Sequence, residues 1–223
     1  ENNIYNVFCA MSSSVSVPKN KYILSSYEIV RCYVSLFVAS SGVVASIYPV
    51  FLMPSIYCIS TYVFLDLYFA KKDMRLHHLL TLSYFVAMCV HNYREAFIVH
   101  FMFQVIKFEY STIVYSGGPL VLHYLSSKQE SVVVKWVPFV RNLCQISFAI
   151  LFVKYRIYEF SSNIVFCKET YEPRNYQTSI AYIHLIATTL LFYGLNIYWL
   201  QLIIWKLIPT TKNTNKMFKT KEE

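Results

Sequence analysis

The stretch from Ser179 to Trp205 constrains this chain most, because no Asp, Glu, Lys or Arg interrupts it. A helix rises about 1.5 Å per residue, so roughly 20 apolar residues cross a hydrocarbon core about 30 Å thick. This stretch exceeds that length, and Trp199 and Trp205 are suited to anchor one membrane interface. We therefore predict a membrane-spanning helix here.

Earlier apolar runs extend the same pattern. They cover Tyr27 to Tyr48, Ser55 to Ala70, Leu76 to His91, Ala96 to Tyr115 and Val132 to Tyr155. Gly117, Gly118 and Pro119 are strong helix breakers. We expect the fourth run to end before them, with Leu120 to Leu125 re-entrant or at the interface, and Glu159 to Gln177 to form a polar loop. The pattern predicts an all-α, polytopic membrane protein with about six transmembrane helices around a polar interior.

Composition indicates the same environment. The chain is 56% hydrophobic and 14% charged, with a mean hydropathy of +0.41, which is more apolar than a soluble domain of this length can bury. The net charge of +8 does not indicate a nucleic-acid partner, because the basic residues lie at the edges of apolar runs and in the tail. We divide the chain into a cytoplasmic segment (1–20), a transmembrane domain (21–208) and a cytoplasmic Lys-rich tail (209–223).

Charge asymmetry between the loops predicts the orientation. Loops on one side carry Arg94, Lys168 and Arg174. The loops on the other side and the C-terminal tail carry more basic residues. Those outside the tail include Lys19, Lys21, Lys71, Lys72, Arg75, Lys128 and Lys135. Because cytoplasmic loops carry the excess of Lys and Arg, both termini are predicted to be cytoplasmic. An even number of spans satisfies that orientation.

The segment from Tyr62 to His91 carries the strongest candidate site. Asp66 lies within one apolar run, and the adjacent His77 and His78 open the next. Two helices joined by the tight basic turn between these runs lie antiparallel, which brings the acid and the histidines to the same end. Residues three and four apart share a helical face. The resulting stripe contains His77, Thr81, Tyr84, Met88 and His91.

The histidine pair has two interpretations. It either faces a polar cavity, or it marks a helix end at the level of the lipid headgroups. Adjacent residues lie about 100° apart on a helix, so at most one of the two rings is expected to point squarely inward.

Ionisable side chains within the apolar runs indicate a polar interior. Each costs at least ~2.5 to 3.5 kcal/mol at a helix centre unless it faces a partner or a wet cavity. The candidates are Arg31, Asp66, Lys107, Glu109 and Arg141. They either line a functional cavity or pair with one another to hold helices together. Replacing Asp66 by Asn is expected to leave folding nearly intact, because it removes a potentially uncompensated charge.

The run FLDLYFAKKDMRLHHLLT, followed in a later apolar run by FEYS, resembles the core of the TLC domain family, which includes the ceramide synthases and the translocating-chain-associated membrane protein. Members have an Asp late in one helix, a His pair opening the next and an acid-x-Ser motif further on. The matching residues here are Asp66, His77, His78, Glu109 and Ser111. A less specific similarity extends from Asn20 to Trp205, including a closing Arg at Arg156.

Departures from the family pattern favour its non-synthase branch. Ceramide synthases usually carry His-Asp-x-Ser-Asp where this chain reads FEYST from Phe108 to Thr112, and Glu28 stands near the position of an expected first-helix His. Members of the non-synthase branch are associated with membrane lipid composition. The resemblance therefore implies membrane lipid homeostasis or lipid handling through a polar intramembrane cavity, with membrane lipids as partners and without a metal or cofactor.

The alternative implied by the resemblance is an acyl-CoA-dependent N-acyltransferase of ceramide synthase type. In it, His77 or His78 acts as general base on a long-chain amine. Asp66 or Glu109 orients the imidazole. A zinc site formed by the two histidines and Glu109 is a weaker reading, since adjacent histidines suit a tetrahedral metal poorly.

Further residues are candidates for substrate binding in that reaction. The basic turn would meet the phosphates of CoA, which is a donor substrate and not a resident cofactor. The candidate substrate-binding residues are Lys71, Lys72, Arg75, Thr81, Tyr84 and Ser111.

The C-terminus resembles an address signal. Lys219 and Lys221 stand five and three residues from the end, in the K-x-K-x-x pattern of a dilysine retrieval signal for the endoplasmic reticulum. Such a signal acts on the cytosolic side, where the loop charges independently place the tail. We therefore expect an integral protein of the endoplasmic reticulum, with coat proteins as partners of the tail.

Overall fold

The computed structural model describes residues 23–70, 72–90, 96–128, 131–176 and 178–207, and every regular element within these ranges is a helix. The prediction of an all-α fold is confirmed. The N-terminal segment, Lys71, His91 and the dilysine-like tail lie outside the described residues. The α-helices are α1 (Ser26–Ile47), α2 (Leu52–Asp66), α3 (Lys72–Val90), α4 (Ala96–Ile106), α5 (Glu109–Ser127), α6 (Ser131–Leu151) and α7 (Ser179–Leu207).

Four helical segments of the described chain are long and apolar enough to cross a membrane. They are Ser26–Ile47, Pro49–Asp66, Lys135–Val165 and Ser179–Trp205. Large apolar side chains such as Phe37 and Ile180 are 69% and 77% exposed, a surface that lipid chains can cover. These features indicate an integral membrane protein. Helices α3, α4 and α5 are not among these segments, so a total of six spans stays a prediction.

Helix α1 packs into the bundle along one face. It begins with a capping box, in which the Ser25 hydroxyl accepts from the backbone N–H of Glu28 and the Glu28 carboxylate accepts from that of Ser25. Its buried face consists of small and medium side chains at helical spacing, namely Cys32, Ser35, Val38, Ala39, Gly42 and Ala45. Small residues let helix backbones approach closely. Helix α1 accordingly packs against both α2 and α5.

The predicted helix end before Gly117 is wrong. Helix α5 continues from Glu109 to Ser127 through Gly117, Gly118 and Pro119. A Cβ atom at Gly118 would lie 3.4 Å from Cys144 Cβ, an ordinary contact distance, which shows that α5 packs closely on α6 at this point. This packing favours a continuous helix despite the proline, which bundles of membrane helices tolerate. The predicted fourth run breaks instead at residues 107–108, between α4 and α5.

The predicted polar loop from Glu159 is also shorter than expected. The chain continues from α6 as π-helical turns over Phe152–Glu159 and Ser161–Val165. Phe160 and Ile164 are fully buried, and their burial extends the helix beyond the polar residues around them. Two short 3₁₀ turns follow, in which the Tyr176 hydroxyl donates to the Thr170 carbonyl at 2.6 Å. Burial raises the pKa of Tyr176 well above its ordinary value.

An aromatic cluster forms the core between α3, α5, the π-helical segment and α7. Phe192 of α7 stacks on Phe108, with ring centroids 5.5 Å apart, and meets Tyr84 edge-on at 5.6 Å. Phe160 contacts Phe108 at 5.1 Å. Such pairs stabilise a core beyond the area they bury. The cluster extends to the ring of His77, whose centroid lies 5.1 Å from that of Phe192.

Candidate functional site

A cavity of about 190 Å³ lies within the bundle. Its polar lining includes Asp66 and His78 from the α2–α3 hairpin and Glu109 from α5. Its apolar walls include Val38, Val63 and Phe148. The hairpin predicted from the basic turn therefore contributes to the cavity.

Asp66 is the last residue of α2 and is 5% exposed. Its Oδ2 atom accepts a hydrogen bond from Arg31 Nη2 of α1 at 2.8 Å. The same oxygen lies 2.8 Å from His78 Nε2 of α3. The carboxylate thus joins three helices, because the α2–α3 turn folds α3 back along α2 and α1 packs against α2.

The contact with Asp66 sets which ring nitrogen of His78 faces the carboxylate as a donor. An ionised carboxylate only accepts hydrogen bonds, so Nε2 of His78 carries a proton and donates it. In the neutral ring, Nδ1 then presents a lone pair. This Nδ1 is buried and has no hydrogen-bond partner within the described ranges. His78 is therefore oriented by an acid and left with a free acceptor beside the cavity, the arrangement of an oriented general base.

His77 also lines the cavity, contrary to the expectation that at most one histidine would face inward. Its ring packs between Phe192 and Trp199 of α7, with centroid distances of 5.1 and 5.0 Å. Helix α3 lies between α2 and α7, so rings about 100° apart reach neighbouring walls of one cavity. Trp199, predicted to anchor an interface, instead lies against this ring with its Nε1 atom buried.

Arg156 supplies a second guanidinium to the cavity lining. It comes from the π-helical segment and is 6% exposed. Its Nε donates to Ser111 Oγ at 2.9 Å and its Nη2 to Thr112 Oγ1 at 3.1 Å. The guanidinium also lies 5.1 Å from the Phe108 ring, within the range of a cation–π contact. The resemblance marked this Arg as a closing residue but did not assign it to the site.

Glu109 lines the cavity from the first turn of α5. Its side chain packs over Gly42 of α1, where an added Cβ atom would lie 2.7 Å from Glu109 Cγ. Gly42 therefore leaves the space that the carboxylate side chain occupies. The charged residues among the described lining are Arg31, Asp66, Glu109 and Arg156. Their formal charges cancel.

Other predicted site residues lie beside the cavity and do not line it. Tyr84 is buried and donates to Thr189 Oγ1 at 2.9 Å, while Thr81 bonds back to the His77 carbonyl. Ser111 donates to the Phe108 carbonyl and accepts from Arg156, so it holds the guanidinium.

The basic turn and the remaining ionisable residues make contacts of their own. Arg75 donates to the backbone carbonyls of Tyr68 and Ala70, and so stabilises the turn between α2 and α3. Lys72 begins α3, and its side chain, like Lys71, lies outside the described residues. Lys107 pairs with Glu159 at 3.0 Å, in accord with the structural reading of that lysine. Arg141 is half-buried, and its Nε donates to Asn142 Oδ1.

No group of three metal-ligating side chains occurs within the described part of the chain. Comparisons with models of protein families, with curated proteins and with solved structures find no match to this chain.

Proposed function

We propose that this chain is a multi-pass membrane protein of TLC type, which binds a lipid headgroup in its polar cavity and acts in membrane lipid handling or homeostasis. The observation that carries the proposal is the buried cluster of Arg31, Asp66 and His78 on a cavity with apolar walls. Buried ionisable groups are costly unless they serve a site or pair with each other. Here they do both.

The cavity is suited to an amphipathic ligand. Apolar side chains such as Val63 and Phe148 can contact an alkyl chain, while polar atoms lie on the neighbouring walls. Ligand sites of this kind combine a mainly apolar lining with a few placed polar groups that fix the orientation. A lipid meets both requirements, and it reaches the cavity from the membrane itself.

The oriented His78 favours a second candidate, an acyl-CoA-dependent N-acyltransferase. In this reaction the amine nitrogen attacks the thioester carbonyl, and the N–H proton passes to His78 Nδ1. The C–N bond forms, the C–S bond breaks, and the departing CoA thiolate takes up the proton. Asp66 holds the imidazole in position. The basic turn at Lys71, Lys72 and Arg75 would meet the CoA phosphates.

Location and topology complete the proposal. The protein resides in the endoplasmic reticulum, with six spans, both termini cytoplasmic and the dilysine-like tail open to coat proteins. The excess of basic residues in alternate loops and the K-x-K-x-x ending support it.

Mass spectrometry of lipids that copurify in mild detergent tests the function. The native protein is expected to retain a defined lipid, and His78→Gln to lose most of it, because Gln does not reproduce the imidazole. His184→Gln is the matched control, since His184 bonds Ser83 and does not line the cavity. A sphingoid base or an N-acylated product favours catalysis. Only bulk phospholipid, equal in all three proteins, contradicts lipid binding at this cavity.

A further inference from the structure

A second group of polar atoms lies where α3 meets α7. His77 Nδ1, Trp199 Nε1 and both amide atoms of Asn196 are buried without a hydrogen-bond partner in the described chain. Asn196 is 0% exposed. Nearly all buried polar groups in proteins are hydrogen-bonded, so several unpaired atoms in one place require an explanation.

These atoms occupy one level of the helix pair. Phe192, Asn196 and Trp199 share a face of α7, being four and three residues apart. The His77 ring contacts both Phe192 and Trp199, which lie about one turn to either side of Asn196. Asn196 therefore lies at the level of His77. His77 and Trp199 line the cavity, and Asn196 lies behind this wall rather than on it.

Packing between α3 and α7 does not by itself account for this group. An unpaired buried amide destabilises a fold, and a Leu of similar volume would fill the same space without that cost. The same two helices pair polar side chains elsewhere, since Tyr84 donates to Thr189 at 2.9 Å. The unpaired atoms thus belong to two side chains that line the cavity, His77 and Trp199, and to Asn196, which lies between them in height on α7.

We propose that His77, Asn196 and Trp199 form a subsite for an uncharged lipid headgroup that carries hydroxyl and carbonyl groups. The indole and amide N–H groups donate to a carbonyl or hydroxyl oxygen. The amide oxygen and a neutral imidazole nitrogen accept a hydroxyl proton. This inference rests on the proposed function and names the ligand class of that site.

The charges of the lining favour an uncharged headgroup over an ionised one. The guanidinium and carboxylate groups of the described lining are equal in number, and Asp66 is already engaged by Arg31 and His78. A net charge brought into this cavity would lose its hydration and would meet a described lining whose formal charges cancel. On the α3–α7 side, His77, Asn196 and Trp199 offer uncharged donors and acceptors that have no partner in the described chain.

Photolabelling of the purified full chain in mild detergent tests the subsite. The probes are a monoacylglycerol, a fatty acid and a long-chain primary amine, each with the same diazirine-bearing alkyl chain. The monoacylglycerol is expected to label cavity peptides about tenfold more strongly than either charged probe. Asn196→Leu and Trp199→Phe should each lower that labelling about tenfold, as expected when a hydrogen-bonding partner is removed from a buried site.

The control is Asn163→Leu, because Asn163 bonds Gln104 at 3.3 Å and does not line the cavity. The monoacylglycerol probe is expected to label this variant as strongly as it labels the native chain. Asn196→Leu removes an unpaired amide, so its melting temperature should be unchanged or raised, which separates lost binding from lost folding. Native labelling in both cavity variants, or equal labelling by all three probes, overturns the subsite alone. No labelling by any probe overturns the proposed function with it.

Discussion

His78 and Asp66 are joined across the α2–α3 hairpin by a 2.8 Å contact between Nε2 and Oδ2. The residues are twelve positions apart in sequence, and the turn between them returns α3 alongside α2. Arg31 binds the same oxygen from α1. The Asp66 carboxylate therefore has two side-chain partners. Its replacement is expected to lower stability more than the replacement of an unpaired carboxylate would.

Asp66→Asn is expected to destabilise the protein by about 3 kcal/mol, because breaking a buried pair leaves an uncompensated charge. This corrects the expectation of near-neutral folding, which treated the carboxylate as unpaired.

The double variant Arg31→Gln with Asp66→Asn should lower the free energy of unfolding by less than the sum of the two single changes, the difference being at least ~1 kcal/mol. Denaturation in detergent measures the free energy of unfolding of the native chain, the two single variants and the double variant. The exposed pair Arg174–Glu172 is the control, and Glu172→Gln should cost ~1 kcal/mol or less. Strict additivity at Asp66 and Arg31 would show that the two do not interact.

Gly42→Ala and Gly194→Ala form a matched pair. A Cβ atom at Gly42 would meet Glu109 Cγ at 2.7 Å, so the carboxylate side chain must move, at a cost of about 1–3 kcal/mol. A Cβ atom at Gly194 meets nothing within 4 Å, and Ala there is expected to stabilise α7 by roughly 0.5–1 kcal/mol. Melting temperatures should move in opposite directions. An equal shift in both variants would contradict the packing of Glu109 on Gly42.

Cys167 offers a reporter of topology and pH. Burial raises the pKa of its thiol, and the Glu169 carboxylate, which accepts from Sγ at 2.8 Å, raises it further. Since the thiolate is the reactive form, a membrane-impermeant maleimide should label Cys167 slowly at pH 7 and faster as the pH rises. Glu169→Gln should lower the thiol pKa and speed labelling at pH 7.

The experiment uses a variant in which every other cysteine is replaced by Ser, in sealed microsomes. Labelling is expected only after the luminal side is opened. Labelling from the cytosolic side of intact vesicles would overturn the predicted orientation.

Lys219→Ser with Lys221→Ser is expected to let a tagged protein leave the endoplasmic reticulum for the Golgi, because coat proteins read the dilysine pattern only on the cytosolic side. Fluorescence imaging measures the distribution. Lys212→Ser with Lys216→Ser removes the same charge elsewhere in the tail and should leave the location unchanged. If both double variants remain in the endoplasmic reticulum, Lys219 and Lys221 are ordinary solvated charges and not a retrieval signal.

Periodicity and charge in the sequence were sufficient for the helical class and for the hairpin that carries Asp66, His77 and His78. These depend on short-range rules, since residues three and four apart share a face and a tight turn makes neighbouring helices antiparallel. The same rules failed at Gly117 to Pro119. There, local propensity predicts a break, but close packing of Gly118 against Cys144 favours a continuous helix.

The sequence by itself determined an all-helical chain of membrane character and an acid near two histidines, because hydrophobicity and helical spacing act within one segment. Only the tertiary structure decided which groups meet. Arg31 reaches Asp66 across 35 positions, Arg156 reaches Ser111 across 45, and Trp199 turns inward against His77. These contacts depend on how α1 packs on α2, the π-helical segment on α5 and α7 on α3, and such long-range packing leaves no periodic trace in the sequence.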